Sequence, residues 1–402
     1  MRLLSAYRRL FSLPGFGPSL FAAVAGKLQP GIFALALLLE VSHYRGMGRA
    51  AAVVSMSALA SATLPLRGRL MDKYGYARVM CPALLLYLTA LTGLVLNEGA
   101  RGSFSATAAC ATVAGISAPP VQIVTRLMWR SLATGDLRTT VLSLDAVLTD
   151  VGFVAGPTLA AFLVTAVAPW AGLAASALLS TSATLLLLSR HVPQQRNQQP
   201  AARDWMGPLR SVPLRHTMTA AVLFFLAVRA VELAFPAWAQ EHSSPMMSGV
   251  LLSGMAVGSV VGGLVLGALP PVWAGRAGLP VTLTALCFGT LLVAAASQGG
   301  GGLLVAAAAV MGLALGPTFV ALFATAGDLS PANMAAETQS WISSFMSLGG
   351  AVGAAVTGLV SRAFGSGTVL VVAAASMAAA SGLARFGISK QPVSAGADGL
   401  DL

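Results

Sequence analysis

Residues 68–78 read Gly68-Arg69-Leu70-Met71-Asp72-Lys73-Tyr74-Gly75-Tyr76-Ala77-Arg78, a mostly basic stretch punctuated by glycine and set between two long apolar runs. The spacing predicts a tight turn, because residues without a Cβ reach backbone conformations closed to others. Leu70 is placed to touch the edge of an apolar phase, while Lys73 and Arg78 belong in water. Asp72 is the one acid of the stretch. A carboxylate there can accept from backbone N–H groups at a helix start, or pair with an arginine on a neighbouring helix.

The flanks of this stretch decide the solvent. Of 402 residues, 56% are hydrophobic and 9% are charged, and the mean hydropathy is +0.80. Apolar runs of about 20 residues, the length that crosses a bilayer core as helix, recur from one end to the other. Hydropathy and polar breaks divide them into about twelve. They are continuous Ala, Leu, Val and Gly, without the alternation of a membrane β-barrel. Helices alone satisfy their backbone in lipid, so the fold class is all-α integral membrane.

A net charge of +11 would point to nucleic acid in a soluble protein. Here the basic residues follow topology. With the amino terminus inside, Arg2, Arg8, Arg9, Arg67, Arg69, Lys73, Arg78, Arg126, Arg130, Arg138 and most later arginines fall in cytoplasmic segments, while Arg45, Arg49, Arg101 and Arg362 fall outside. That asymmetry predicts a multi-pass protein with both termini cytoplasmic, and no nucleic-acid partner. Cys81, Cys110 and Cys287 lie inside spans with no paired spacing, so neither a disulfide frame nor a metal site is expected. His43, His191, His216 and His242 show no catalytic or metal spacing, and no phosphate-binding P-loop occurs. An enzyme is not expected, nor a bound cofactor.

The pattern G-x-L-x-D-K-x-G, carried by Gly68, Leu70, Asp72, Lys73 and Gly75, resembles the loop between helices 2 and 3 of the major facilitator superfamily. Ala77 stands where that family usually has a basic residue, and Arg78 supplies one a position later. The resemblance implies twelve transmembrane helices in two pseudo-symmetric six-helix bundles. The chain then divides into an amino-terminal interfacial segment (1–15), a first bundle (16–189), a cytoplasmic linker (190–213), a second bundle (214–387) and a cytoplasmic tail (388–402). An internal repeat supports this independently. An offset of 197 maps Gly115 to Gly312, Pro120 to Pro317, Gly152 to Gly349 and Gly156 to Gly353. Two bundles of that kind place a substrate site between them near mid-membrane.

Within the spans, Gly152-x-x-x-Gly156-Pro157 in helix 5 (about 139–164) allows close backbone approach and a bend. It resembles the helix-5 motif of the family's antiporter branch, and it also reads as ordinary small-residue packing. Near Gly115 in helix 4 (about 103–127) the chain lacks the arginine that drug exporters of the family usually carry. Asp150 lies mid-span in helix 5. A carboxylate at that depth loses its hydration and becomes a candidate for binding and releasing a proton; the alternative is a structural pair with Lys27 of helix 1 (about 16–41) or an arginine of helix 4. Asp145 is expected to pair with Arg126 or Arg130. Arg229 and Glu232, three apart on helix 7 (about 214–239), either neutralise each other or face a cavity. The resemblance places helices 1, 4, 7 and 10 around that cavity, within reach of Lys27, Gln29, Arg229 and Glu232. It also makes Asp72 a gating residue whose partners are the start of helix 11 and Arg126 or Arg130.

Together these readings predict a secondary transporter of the inner membrane, a functional monomer that moves a small molecule by alternating access. Export of a drug-like or metabolite compound against the proton gradient is the leading form, with Asp150 or Glu232 as the proton carrier. Import of a small nutrient, and a non-transporting sensor or assembly role, are the alternatives.

Overall fold

The computed structural model describes residues 2–13, 15–133, 135, 137–189, 207–270, 277–331 and 333–388. Among the described residues, twelve helices are long and apolar enough to cross a membrane: α1 (Phe16–Arg45), α2 (Met47–Tyr74), α3 (Tyr76–Gly99), α4 (Phe104–Leu132), α5 (Leu137–Ala166), α6 (Ala171–Leu188), α7 (Val212–Glu241), α8 (Met246–Ala268), α9 (Leu279–Ala296), α10 (Gly301–Asp328), α11 (Ala335–Ser361) and α12 (Ala363–Arg385). A shorter amino-terminal helix, Arg2–Phe11, precedes them. The linker expected at 190–213 is described only from Gly207, where a short 3-10 turn leads into α7. The tail expected from 388 lies outside the described residues except for its first position.

The 68–78 stretch corrects its own reading. Leu64–Tyr74 is helical, so the reversal is confined to Gly75 at φ +92°, between α2 and α3. Gly68 serves close approach instead: a Cβ on it would lie 2.8 Å from Glu337 Cα in α11. Prolines break α4 in mid-membrane, where residues 118–120 leave the helix between Phe104–Ser117 and Val121–Leu132. Arg67 of α2 donates to the carbonyl of Ala118 there. A backbone group freed at that depth needs such a partner. Pro317, the counterpart of Pro120 in the repeat, leaves α10 continuous.

The repeat recurs as packing. In the first half α5 lies against α1, where a Cβ on Gly152 would come within 2.6 Å of the Lys27 carbonyl oxygen. In the second half α11 lies against α7, where a Cβ on Gly349 would collide with the Val222 carbonyl. Gly115 meets the α2 backbone at Ser57, and Gly312 meets the α8 backbone at Met255 and Gly258, so the pairs 4–2 and 10–8 also correspond. Small residues at these crossings let neighbouring backbones approach closely, which is what holds helices together where lipid removes the hydrophobic drive.

Among the described residues, the hydrogen bonds and ion pairs that join the halves lie between mid-membrane and the end carrying residues 68–78, hereafter the motif end. They link α2 to α11, α4 to α10 and α11, α5 to α8 and α10, and the amino-terminal helix to α8. At the other end, the polar contacts of Arg45 with Glu98 and of Glu241 with Ser366 each stay within one half. The molecule is therefore held together at the motif end.

Candidate functional site

The first turn of α11 leaves backbone N–H groups without helical partners. Asp72 takes two of them: Oδ1 accepts from Ala336 N at 3.0 Å and Oδ2 from Glu337 N at 2.8 Å. Its negative charge also meets the positive end of the helix dipole. Arg69 pairs with Glu337, Nη2 to Oε1 at 3.0 Å. The start of α11 is thus an Asp72 partner, but the two arginines expected beside it are engaged elsewhere. Arg126 pairs with Asp145, while Arg130 Nη2 lies 3.0 Å from Asp328 Oδ1 and its Nη1 donates to the Phe323 carbonyl at 3.2 Å. Arg138 reaches Asp328 as well. Both arginines are taken up by carboxylates other than Asp72. Leu70, Lys73 and Arg78 are exposed, with Lys73 Nζ 4.8 Å from the centre of the Tyr74 ring.

Deeper in, Lys27, Arg126 and Asp145 bring α1, α4 and α5 to one point. Lys27 Nζ lies 3.0 Å from Asp145 Oδ1 in an ion pair. Arg126 Nη2 and Nε lie 2.7 and 2.8 Å from Asp145 Oδ2. The three side chains are 1%, 3% and 4% exposed, in the order Lys27, Arg126, Asp145. Two cations on one carboxylate leave an excess positive charge in a low-dielectric interior, and Asp150 is a further carboxylate whose field reaches Lys27. Lys27 thus pairs with Asp145 and not with Asp150, the partner weighed as an alternative, and its ammonium is withdrawn from the surface expected to line a cavity. Arg126 also touches the second half: its guanidinium sits 3.5 Å from the Phe323 ring centre, and Nη1 lies 3.4 Å from Gln339 Oε1.

Asp150 stands on the seam between halves. Its Oδ2 accepts the Ser259 hydroxyl of α8 at 2.5 Å. The field of Glu232, on α7, reaches it from across the seam. Glu232 Oε2 pairs with Arg229 Nη1 at 2.8 Å, and both side chains keep substantial exposure. Phe225, Arg229 and Glu232 fall at i, i+4 and i+7, one face of α7. Phe225 packs edge-on against Phe224 and against Phe319 of α10, with ring centres 5.4 and 5.6 Å apart. An aromatic wall therefore adjoins an exposed ion pair, a combination suited to a small molecule with an apolar body and a polar group.

Gln29 is not among these groups. Its Nε2 donates to the Tyr87 hydroxyl at 2.8 Å and to Ser176 Oγ at 3.1 Å, which turns it toward α3 and α6, inside the first bundle. Its register on α1 relative to Lys27 carries it round the helix, so the cavity expectation for Gln29 is corrected. Gly152, Gly156 and Pro157 face α1, and Gly349 and Gly353 face α7, as helix-packing positions. Several groups stand outside the sequence expectations: Ser259, Gln339 and Asp328, and a polar cluster of Glu40, Arg45 and Glu98 at the far end. Buried acids in apolar runs were the available signal for Glu40 and Glu98; nothing local marks Ser259. Among the described residues no group of His, Cys, Asp and Glu is arranged to hold a metal ion.

The sequence profile of the Major Facilitator Superfamily matches residues 16–354. No curated protein matches by sequence. Among solved structures, the chain is similar to the human organic anion transporter TETRAN, at 17% identity and a TM-score of 0.71, over 92% of this chain and 99% of that one. It is similar to a bacterial homologue of the iron transporter ferroportin in its outward-facing state, at 14% identity and a TM-score of 0.75, over 93% and 99%. The E. coli fucose:proton symporter matches at 15% identity and a TM-score of 0.72, again over 93% and 99%. At such identities the likeness is one of fold. With the profile spanning most of the chain, the 68–78 motif seated on α11 and twelve helices in two repeated bundles, this chain belongs to the Major Facilitator Superfamily.

Proposed function

We propose that this chain is a secondary transporter that exports a small, partly apolar molecule against proton influx by alternating access, with Asp150 as the proton-carrying group. The carrying observation is the hydrogen bond from Ser259 to Asp150, which crosses from α8 to α5. A proton arriving at that carboxylate alters a bond between the halves directly, so protonation and the movement of the halves are linked without a relay. Glu232, tied to Arg229, is the second protonatable candidate, and the face Phe225, Arg229 and Glu232 supplies the substrate contacts. Asp72 acts as a gate: its two bonds to the first turn of α11 hold the motif end shut and break when it opens.

The excess of arginine and lysine toward the motif end supports a cytoplasmic motif end, with both termini inside and the inner membrane as the location. Two complete bundles in one chain support a functional monomer, with segments 1–15, 16–189, 190–213, 214–387 and 388–402 as its parts.

The test is accumulation of a panel of dyes and antibiotics in pump-deficient cells expressing the chain, with Asp150→Asn and a protonophore as controls. Reduced accumulation that both controls abolish supports the reading. Export that survives Asp150→Asn but not the protonophore moves the proton to Glu232. Unchanged accumulation of every compound, with the protein confirmed in the membrane, removes export and leaves import or a non-transport role.

A further inference from the structure

The amino-terminal helix, Arg2–Phe11, lies where the two halves meet, and transport as described above makes no use of it. Its root is in the first half. Leu10 is fully buried, and Phe11 packs edge-on against Phe16, with ring centres 5.5 Å apart. Phe16 in turn stacks on Trp129 of α4 at 5.4 Å, and Trp129 Nε1 donates to Ser19 Oγ of α1 at 2.9 Å. Phe16 and Trp129 are each 1% exposed, and the half-exposed Phe11 ring joins the helix to this buried pair.

Its other attachment is in the second half. The Tyr7 hydroxyl donates to the Leu264 carbonyl of α8 at 3.1 Å. One turn further along α8, Gly267 sits where three elements converge. A Cβ on it would lie 2.6 Å from Ser143 Cβ of α5 and would collide with the Tyr7 hydroxyl. Thr140 of α5 donates to the Gly267 carbonyl at 2.6 Å. The absence of a side chain at Gly267 is therefore what lets Tyr7 and α5 approach α8 together. Arg8 and Arg9 are exposed. Burial pushes the Tyr7 phenol up to about 12, so it remains a donor throughout the physiological pH range.

We infer that the amino-terminal helix is a latch across the α5/α8 seam, rooted in the first half through Phe11 and docked on the second half through Tyr7 at Gly267, and that it biases the molecule toward the state closed at the motif end. Parting of α5 from α8 breaks the Tyr7 to Leu264 bond and uncovers Gly267. A contact made in one state and lost in the other shifts the equilibrium by its own free energy. The inference rests on the halves parting at the motif end. It is independent of proton coupling and of transport direction, so failure of the Asp150 experiment leaves it standing.

The test is pulsed electron–electron resonance on the full chain in lipid nanodiscs, without substrate. Spin labels at Ala77 and Leu269, one in each half at the motif end and both exposed, are placed in a background in which Cys81, Cys110 and Cys287 are replaced by serine. In Tyr7→Phe, which removes one hydroxyl and keeps the ring, the ratio of long to short distances is expected to rise roughly two- to ten-fold, the worth of one hydrogen bond. Gly267→Ala, which obstructs docking from the other side, is expected to shift the ratio the same way. A distribution unchanged in Tyr7→Phe, or moved toward shorter distances, overturns the latch. Melting temperature measured on each variant separates a shifted equilibrium from a damaged fold.

Discussion

Asp145 and Asp150 are five residues apart on α5, and their surroundings set them to different tasks. Asp145 is sealed between Lys27 and Arg126, where its charge is required to neutralise cations already buried. Asp145→Asn leaves both cations without a carboxylate, and breaking a buried pair in this way costs about 3–5 kcal/mol. A clear fall in melting temperature in detergent is expected. Lys27→Met leaves Arg126 and Asp145 as a balanced pair and removes the excess charge, so its melting temperature should stay close to wild type. Equal losses in the two variants would contradict the assignment of Lys27 as the surplus cation. Asp150 touches a hydroxyl of the other half, and Ser259→Ala, which leaves the carboxylate in place, should weaken coupling without abolishing transport. The readout is the number of protons moved per substrate in proteoliposomes, with Asp150→Asn as the uncoupled limit.

Helix packing sets which glycines matter. In α11, Gly349 lies flat on the α7 backbone at Val222, while Gly358 has no atom within 4 Å of the position a Cβ would take. Gly349→Ala should therefore lower stability and yield of folded protein, whereas Gly358→Ala should be neutral or gain up to about 1 kcal/mol of helix propensity. Comparative melting of the two variants decides it. The first turn of the same helix depends on Asp72, which fills the role of a capping residue from a different helix. Losing such a cap costs about 1 kcal/mol. Asp72→Ala should accordingly raise the population open at the motif end roughly five-fold, read as faster alkylation of a cysteine placed at Ser340. Asp72→Asn, which keeps one acceptor oxygen, should have a smaller effect.

For the molecule as a whole, polar contacts between the halves run from Asp150 to the motif end, and the far end is joined only within each half among the described residues. On the proposed function, the α7 face carrying Phe225, Arg229 and Glu232 should then be reachable from the far end. A cysteine replacing Arg229 should react with a membrane-impermeant thiol reagent in right-side-out vesicles and be protected in inside-out ones. The reverse pattern would place the motif end outside the cell and overturn the proposed orientation.

Fold class, the number of spans and the twofold repeat were legible in the chain itself. A lipid solvent demands helices of set length, and the repeated glycines at 115 and 312, and at 152 and 349, mark crossings that recur in both halves. The link between Asp72 and the start of helix 11 was legible through the family motif. Pairing was not. Spacing alone allowed Lys27 to meet Asp150, allowed Arg126 and Arg130 to meet Asp72, and left Gln29 free to face the cavity. The rotation of each helix about its own axis settles these choices, and that rotation is fixed by packing against several neighbours at once. For the same reason Ser259, Gln339 and Tyr7 carry no local mark: a hydroxyl or an amide becomes a partner only when another helix, far away in sequence, presents the complementary atom within about 3 Å. Composition and period determined what this chain is made of, and the tertiary structure alone decided which charges meet.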